Sequence, residues 1–415
     1  MPEDSPGTSP PEEIAPPLTS AGVPLLALLV GLVAFGPLST DLYLPALPEI
    51  GRDLSAGPAK VQLTLSVFLA GFAICMLIYG PLSDRFGRRP VLLGSLGVFL
   101  LASAGCALAQ SIDQLVAARF LQALGACAGP VLGRAIVRDI YGPTAAARIL
   151  SYLAMAMALA PAIGPILGGY LTVAFGWRAN FVLLVGFGLL CLFGILRILP
   201  ETNLLKDPMA TRPGQLLANY VALTRHRRFL GYLLVCSMSY SGIFAFISGS
   251  PQVLITGLGL TPDQFGYCFA AVVIGFIIGS FLSGRLHAKV SADRLIGLGC
   301  AVAILGGGAG AALALAGVAT VTSIVAPAAV YLIGGGLMMP NAMAGAICPF
   351  PRMAGAASAL VGFAQMGIAA LVGIAVGQLQ DGTPVAMASA IALVALCAGL
   401  ALVVIVLPAA RADND

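Results

Sequence analysis

RFLQALGACAGPVLGRAIVRD, residues Arg119 to Asp139, begins with an arginine set between apolar neighbours. A charge at the middle of a bilayer costs ~3 kcal/mol even on the lenient insertion scale, so where one occurs it points into the protein and has a purpose. The surrounding chain has the same oily character. Of 415 residues, 59% are hydrophobic and 9% are charged, whereas a soluble domain carries about 25% charged residues. With a mean hydropathy of +0.99, an ordinary soluble globule is excluded and a polytopic membrane protein remains. One acid elsewhere lies comparably deep in an apolar stretch, and it is Asp41.

A membrane helix needs ~20 mostly apolar residues. Twelve stretches qualify: 21–46, 61–79, 90–109, 112–137, 144–175 and 180–199, then 229–250, 262–285, 295–318, 322–341, 353–379 and 385–407. The expected fold is therefore an all-α polytopic membrane protein of two pseudosymmetric six-helix bundles. Its parts are a disordered cytoplasmic tail (1–20), an N-terminal bundle (21–200), a cytoplasmic central loop (201–228), a C-terminal bundle (229–408) and a short cytoplasmic tail (409–415). The first tail, rich in proline and acid and without Lys or Arg, is unlike a secretory signal. Lys and Arg fix the orientation. With both termini in the cytoplasm, only Arg52, Lys60 and Arg178 face outward and Arg119 is intramembrane; every other Lys and Arg is cytoplasmic. The halves repeat as well. Leu82-Ser83-Asp84-Arg85 follows the second stretch, and Leu282-Ser283-Gly284-Arg285 closes the eighth. Duplicated halves are the usual build of secondary transporters.

Asp41 lies about five residues before the outer end of its stretch, and Arg119 about seven inside the outer start of its own. At 1.5 Å per residue both are ~8–10 Å deep, which supports a shared cavity; a static ion pair, or a superficially placed Asp41 that simply reaches water, is the plain alternative. Phe35, Tyr43, Gln122, Tyr240, Phe244, Phe246, Asn341 and Gln365 are candidates for the cavity wall, since apolar walls with few polar groups suit drug-like ligands. Trp177 and Arg178 read as an interfacial anchor. The nine cysteines lie in or beside apolar stretches at no metal-binding spacing, and His226 and His287 fall in charged connectors, so neither metal nor cofactor is expected. There is no GxxxxGK[ST] loop, which argues against nucleotide hydrolysis, and no enzyme activity or nucleic-acid partner is expected.

Two motifs carry a resemblance. GPLSDRFGRRPVLL, Gly80 to Leu93, is a glycine-punctuated turn with Asp84 among Arg85, Arg88 and Arg89. It resembles the signature loop of the major facilitator superfamily, which implies a cytoplasmic gate braced by Asp84, with Arg138 and Asp139 nearby. PAIGPILGGYL, with Pro161, Gly164, Pro165, Gly168 and Gly169, describes a kinked, closely packed fifth span. Its GPxxGG order resembles the antiporter signature of the exporting branches. TDLYLPALP, RFLQALG, RAIVRD and RMAGAASALVGFAQ (residues 352–365) look like the Bcr/CflA branch of drug:proton antiporters. That resemblance implies proton coupling at Asp41 and substrate binding at Asp41 and Arg119. It also implies phenicol- or bicyclomycin-like cargo, a monomer, and a bacterial cytoplasmic membrane. Import of a metabolite by the same fold, and a non-transporting sensor or enzyme, are the alternatives. Burial and a neighbouring guanidinium act oppositely on a carboxyl, so Asp41 is expected to exchange protons near neutral pH.

Overall fold

The computed structural model describes residues 22–204 and 206–412. Among the described residues, twelve helices are long and apolar enough to cross a membrane. Spans 1–6 are Gly22–Asp53, Pro58–Phe86, Arg88–Ala107, Ile112–Tyr141, Arg148–Phe175 and Arg178–Ile198; spans 7–12 are Arg227–Gly257, Pro262–Leu286, Ala292–Leu315, Val321–Ile347, Ala354–Leu379 and Val385–Ala409. Large apolar side chains such as Leu101, Leu190 and Leu400 stand exposed around the outside. Lipid accommodates such a surface where water would not.

Span 1 runs further than its apolar pattern suggests. The helix Gly22–Asp41 gives way to a 3₁₀ turn, Leu44–Ala46, and a second helix, Leu47–Asp53, with prolines in the first turn of each later piece. Proline suits a first turn because the missing N–H has no intrahelical role there. Asp41 therefore sits about twelve residues from the end of its span, against the expected five. The central connector also holds more structure than a polar loop. The helix Pro213–Thr224 forms within it, with Leu217 and Val221 exposed.

Two pairs of helices make the seam between the halves, spans 5 with 8 and spans 2 with 11. Glycine lets them close. On the first pair, a methyl added to Gly266 would come within 2.7 Å of the Ile166 Cα, and one added to Gly169 would strike the Pro262 carbonyl. On the second, one added to Gly373 would lie 2.6 Å from the Phe244 ring and 3.0 Å from the Ser66 hydroxyl. Small residues allow this backbone approach where lipid supplies no hydrophobic drive. The Tyr170 and Tyr267 hydroxyls join across the first pair at 2.8 Å.

Candidate functional site

The structure separates the two deep charges. Each helical residue turns the chain by ~100°, so Ser39 and Asp41 face nearly opposite ways. The Ser39 side of span 1 looks into the N-terminal half, and there Arg119 lies fully buried. Its Nη1 donates to the Ser39 carbonyl at 2.9 Å and to the Gln122 side chain, whose amide in turn donates to Ser103 Oγ at 2.8 Å. The guanidinium is sandwiched by the Tyr43 and Phe68 rings, 4.3 Å from each centroid. Tyr43 is held by Thr64 at 3.1 Å. Among the described residues no acid lies within ion-pair reach of Arg119. Two rings, one carbonyl and the Gln122 side chain thus surround this cation, whose Nε and Nη2 have no hydrogen-bond partner among the described residues, and a desolvated cation–π contact contributes ~2 kcal/mol or more. No ion pair joins Asp41 and Arg119 among the described residues.

Asp41 looks the other way, into the seam. It is the one buried acid among the described residues, 3% exposed. Thr40 donates to its Oδ1 at 3.1 Å, and its Cβ packs at the bare backbone of Gly164 in span 5. A methyl added to Gly168, one turn on, would run into the Leu42 carbonyl. Across the seam, Tyr240 of span 7 lies within electrostatic reach of the carboxylate. The glycine motif therefore has a local purpose: Gly164 and Gly168 admit the Asp41 segment, and Gly169 admits span 8. The helix continues unbroken through Pro161 and Pro165.

The other expected wall residues divide. Tyr240 and Phe244 lie at the seam, Phe244 against Gly373 of span 11. Phe35 packs between Phe99 and Phe187, 4.5 and 5.0 Å away, inside the first half, and Phe246 packs on Phe269 inside the second. Asn341 donates to Ser283 Oγ and the Leu337 carbonyl, both at 2.7 Å, and Gln365 to Cys236 Sγ at 3.3 Å. These polar residues pin helices within one half. Trp177, expected as an anchor at the lipid interface, is 2% exposed. Its Nε1 donates to Asp53 at 2.9 Å, and Arg178 pairs with the same carboxylate at 2.7 Å. The pair fastens the end of span 1.

At the face carrying the central connector, Asp84 pairs with Arg88 at 2.5 Å, and Arg88 reaches Asp139 at 3.0 Å. Arg138 is exposed beside them. The turn is made by Gly87, at φ +104°, while Gly80 lies within span 2 with open space around it. Glu201 was not singled out from sequence. Its carboxylate accepts the backbone N–H groups of Arg88 and Arg89 at 2.9 and 3.2 Å, capping the N-terminus of span 3. Burial disfavours that carboxylate, yet the N–H groups of Asn203, Arg88, Arg89 and Thr202 hold its pKa below the ordinary glutamate value. Asn203 donates to the Asp84 carbonyl at 2.9 Å, Arg85 to Thr211 at 2.6 Å, and Thr202 to Asp139 at 3.2 Å. Asp84 is thus clamped to the connector, and every partner described for it lies in the first half or the connector.

Comparison with known proteins agrees with this architecture. Residues 28–374 match the Major Facilitator Superfamily. The chain is 34% identical to the bicyclomycin resistance protein homolog of Haemophilus influenzae, over 65% of this chain and 68% of that one. It is 32% identical to multidrug resistance protein D of Escherichia coli, over 83% and 86%. A crystal structure of a D-xylose–proton symporter superposes with a TM-score of 0.73 at 15% identity, covering 92% of this chain and 96% of that one, which speaks to the fold alone. Two six-helix halves meeting along glycine-lined seams, the signature loop between spans 2 and 3, and these relatives lead to one assignment: the chain is a multi-pass membrane transporter that belongs to the major facilitator superfamily.

Proposed function

We propose that this chain exports amphipathic small molecules, phenicol- or bicyclomycin-like compounds among them, in exchange for protons. The face bearing the termini and the connector is cytoplasmic in this reading, as the Lys and Arg distribution supports, and one chain supplies both walls of the path. The observation that carries the proposal is the position of Asp41: a lone buried carboxyl, set in the seam against Gly164 and facing Tyr240 of the other half. The names of the resistance relatives support export over import.

Rocking of the halves about the seam exposes Asp41 first to one side and then to the other. Open to the cytoplasm, the ionised carboxylate favours cargo. Open outward, it takes a proton, and the neutral acid holds cargo less well. A difference of only about 1.4 kcal/mol between the two forms gives roughly tenfold coupling. Arg119 and Gln122 serve this site indirectly, by fixing the opposite face of span 1. Asp41→Asn is expected to abolish proton-driven drug uptake into inverted vesicles while the protein still inserts and purifies. Full uptake by that variant removes the mechanism.

A further inference from the structure

On the face opposite the connector, a cleft of about 630 Å³ opens between the halves. Its walls come from the end of span 1, the starts of spans 2 and 8, and the ends of spans 7 and 11. Pro45, Pro48, Val61, Pro251 and Ile255 make the sides apolar. The polar groups in it are out of keeping with a simple gap. Gln62, on span 2, is 6% exposed, and its amide nitrogen donates to nothing. Ser248, on span 7, is also 6% exposed with an unpartnered hydroxyl. At the end of span 11, both the amide nitrogen and the oxygen of Gln380 lack partners. All three side chains line the cleft, and they come from both halves.

A buried donor or acceptor left unmade costs about 1–3 kcal/mol, and four such atoms on three side chains of one cleft suit an occupant with complementary polar groups. All three groups are neutral and together offer both donors and acceptors, while the charged residues of the same lining, half-buried Glu49 and exposed Arg52, stand nearer solvent. They match carbonyl, amide or hydroxyl groups on an uncharged molecule, whose apolar parts the proline and aliphatic walls would cover. Gly377 keeps the place narrow, because a methyl there would come within 2.5 Å of the Gln62 side chain. Asp41 does not line the cleft.

We infer that this cleft is a second ligand subsite, in which Gln62, Ser248 and Gln380 hydrogen-bond an uncharged cargo after it has left Asp41. The inference rests on the export reading above. Because its residues come from both halves, the subsite holds cargo released from Asp41 only at the onset of outward opening, and further parting of the halves dismantles it and lets the molecule go outward.

Chloramphenicol, neutral and carrying an amide and two hydroxyls, is the probe. Equilibrium binding of the labelled compound to purified full-length protein is measured at pH 6 and pH 8. Wild type is expected to show a component indifferent to pH that survives in Asp41→Asn. That component should weaken about tenfold in Gln380→Ala and in Ser248→Ala, the effect of one lost buried hydrogen bond. Gln380 is only half-buried and Ser248→Ala nearly conserves volume, so both variants are expected to fold. Binding that vanishes in Asp41→Asn but is untouched by the two cleft variants overturns the subsite and leaves the Asp41 reading standing. No binding to wild type at millimolar probe also overturns it. Efflux assays separate the sources of the ligand. Slower chloramphenicol efflux in the cleft variants supports outgoing cargo, whereas weakened binding with unchanged efflux overturns that assignment.

Discussion

At the residue scale, two charges at similar depth meet different neighbours because span 1 turns one inward and the other toward the seam. Arg119→Lys keeps the charge but loses the planar fork and the stacking between Tyr43 and Phe68. We expect it to lower the stability of the protein in detergent by ~2 kcal/mol, read as an earlier thermal unfolding. Cargo affinity in the molecules that remain folded should be unchanged; a normal unfolding temperature with lost affinity would return Arg119 to the binding site. Gly168→Ala should act oppositely to its size, since the added methyl has no room beside Leu42. Transport is expected to fall by an order of magnitude or more as span 5 is pushed from the Asp41 segment, because overpacking costs ~1–3 kcal/mol. Wild-type transport in that variant counts against close packing as the setting of Asp41. The burial of both charges was legible in the sequence, since nothing else so polar lies so deep. Their separation was not, because matched depth says nothing about rotation, and rotation decides which neighbours a side chain meets.

At the scale of elements, the clamp between the Gly80–Leu93 loop and the connector depends on a carboxylate at a helix N-terminus, where backbone N–H groups point outward. The Glu201 pKa is held below the ordinary 4.5, so the sign is that of a depressed acid. Its stabilising contribution is complete above pH 4.5 and fades as acidification carries it through its lower folded-state value. Unfolding temperatures taken from pH 7 down to pH 3.5 should therefore converge for wild type and Glu201→Gln at the acid end, with the wild type higher near neutrality. Curves that stay parallel across the range refute the clamp. The loop itself was plain from its glycines and arginines. Glu201 was hidden because it lies over a hundred residues from the N–H groups it caps, in a segment whose composition reads only as polar. The connector helix was missed for a related reason: twelve residues are too few to resemble a span and too apolar to resemble a tail.

At the scale of the molecule, the halves are held by surfaces with little side chain between them, which allows sliding and rocking without a bulky interlock. Replacing Gly266 with leucine wedges spans 5 and 8 apart. We expect cargo exchange to drop about tenfold or more, with insertion into membranes unaffected, as judged by efflux rate against membrane abundance; undiminished efflux would show that this seam does not govern the motion. The twelve helices and their two-fold division could be read from hydropathy alone. The pairing of helices could not, because apolar stretches look alike until their small residues find partners. One consequence remains, and it is optical. The chain contains a single tryptophan, and Trp177 is bound to Asp53 at the end of the short helix that walls the outer cleft. Unlabelled protein therefore carries one indole emitter inside the first half, so the colour and lifetime of its light report whether that helix stays fastened through Asp53, without any added dye.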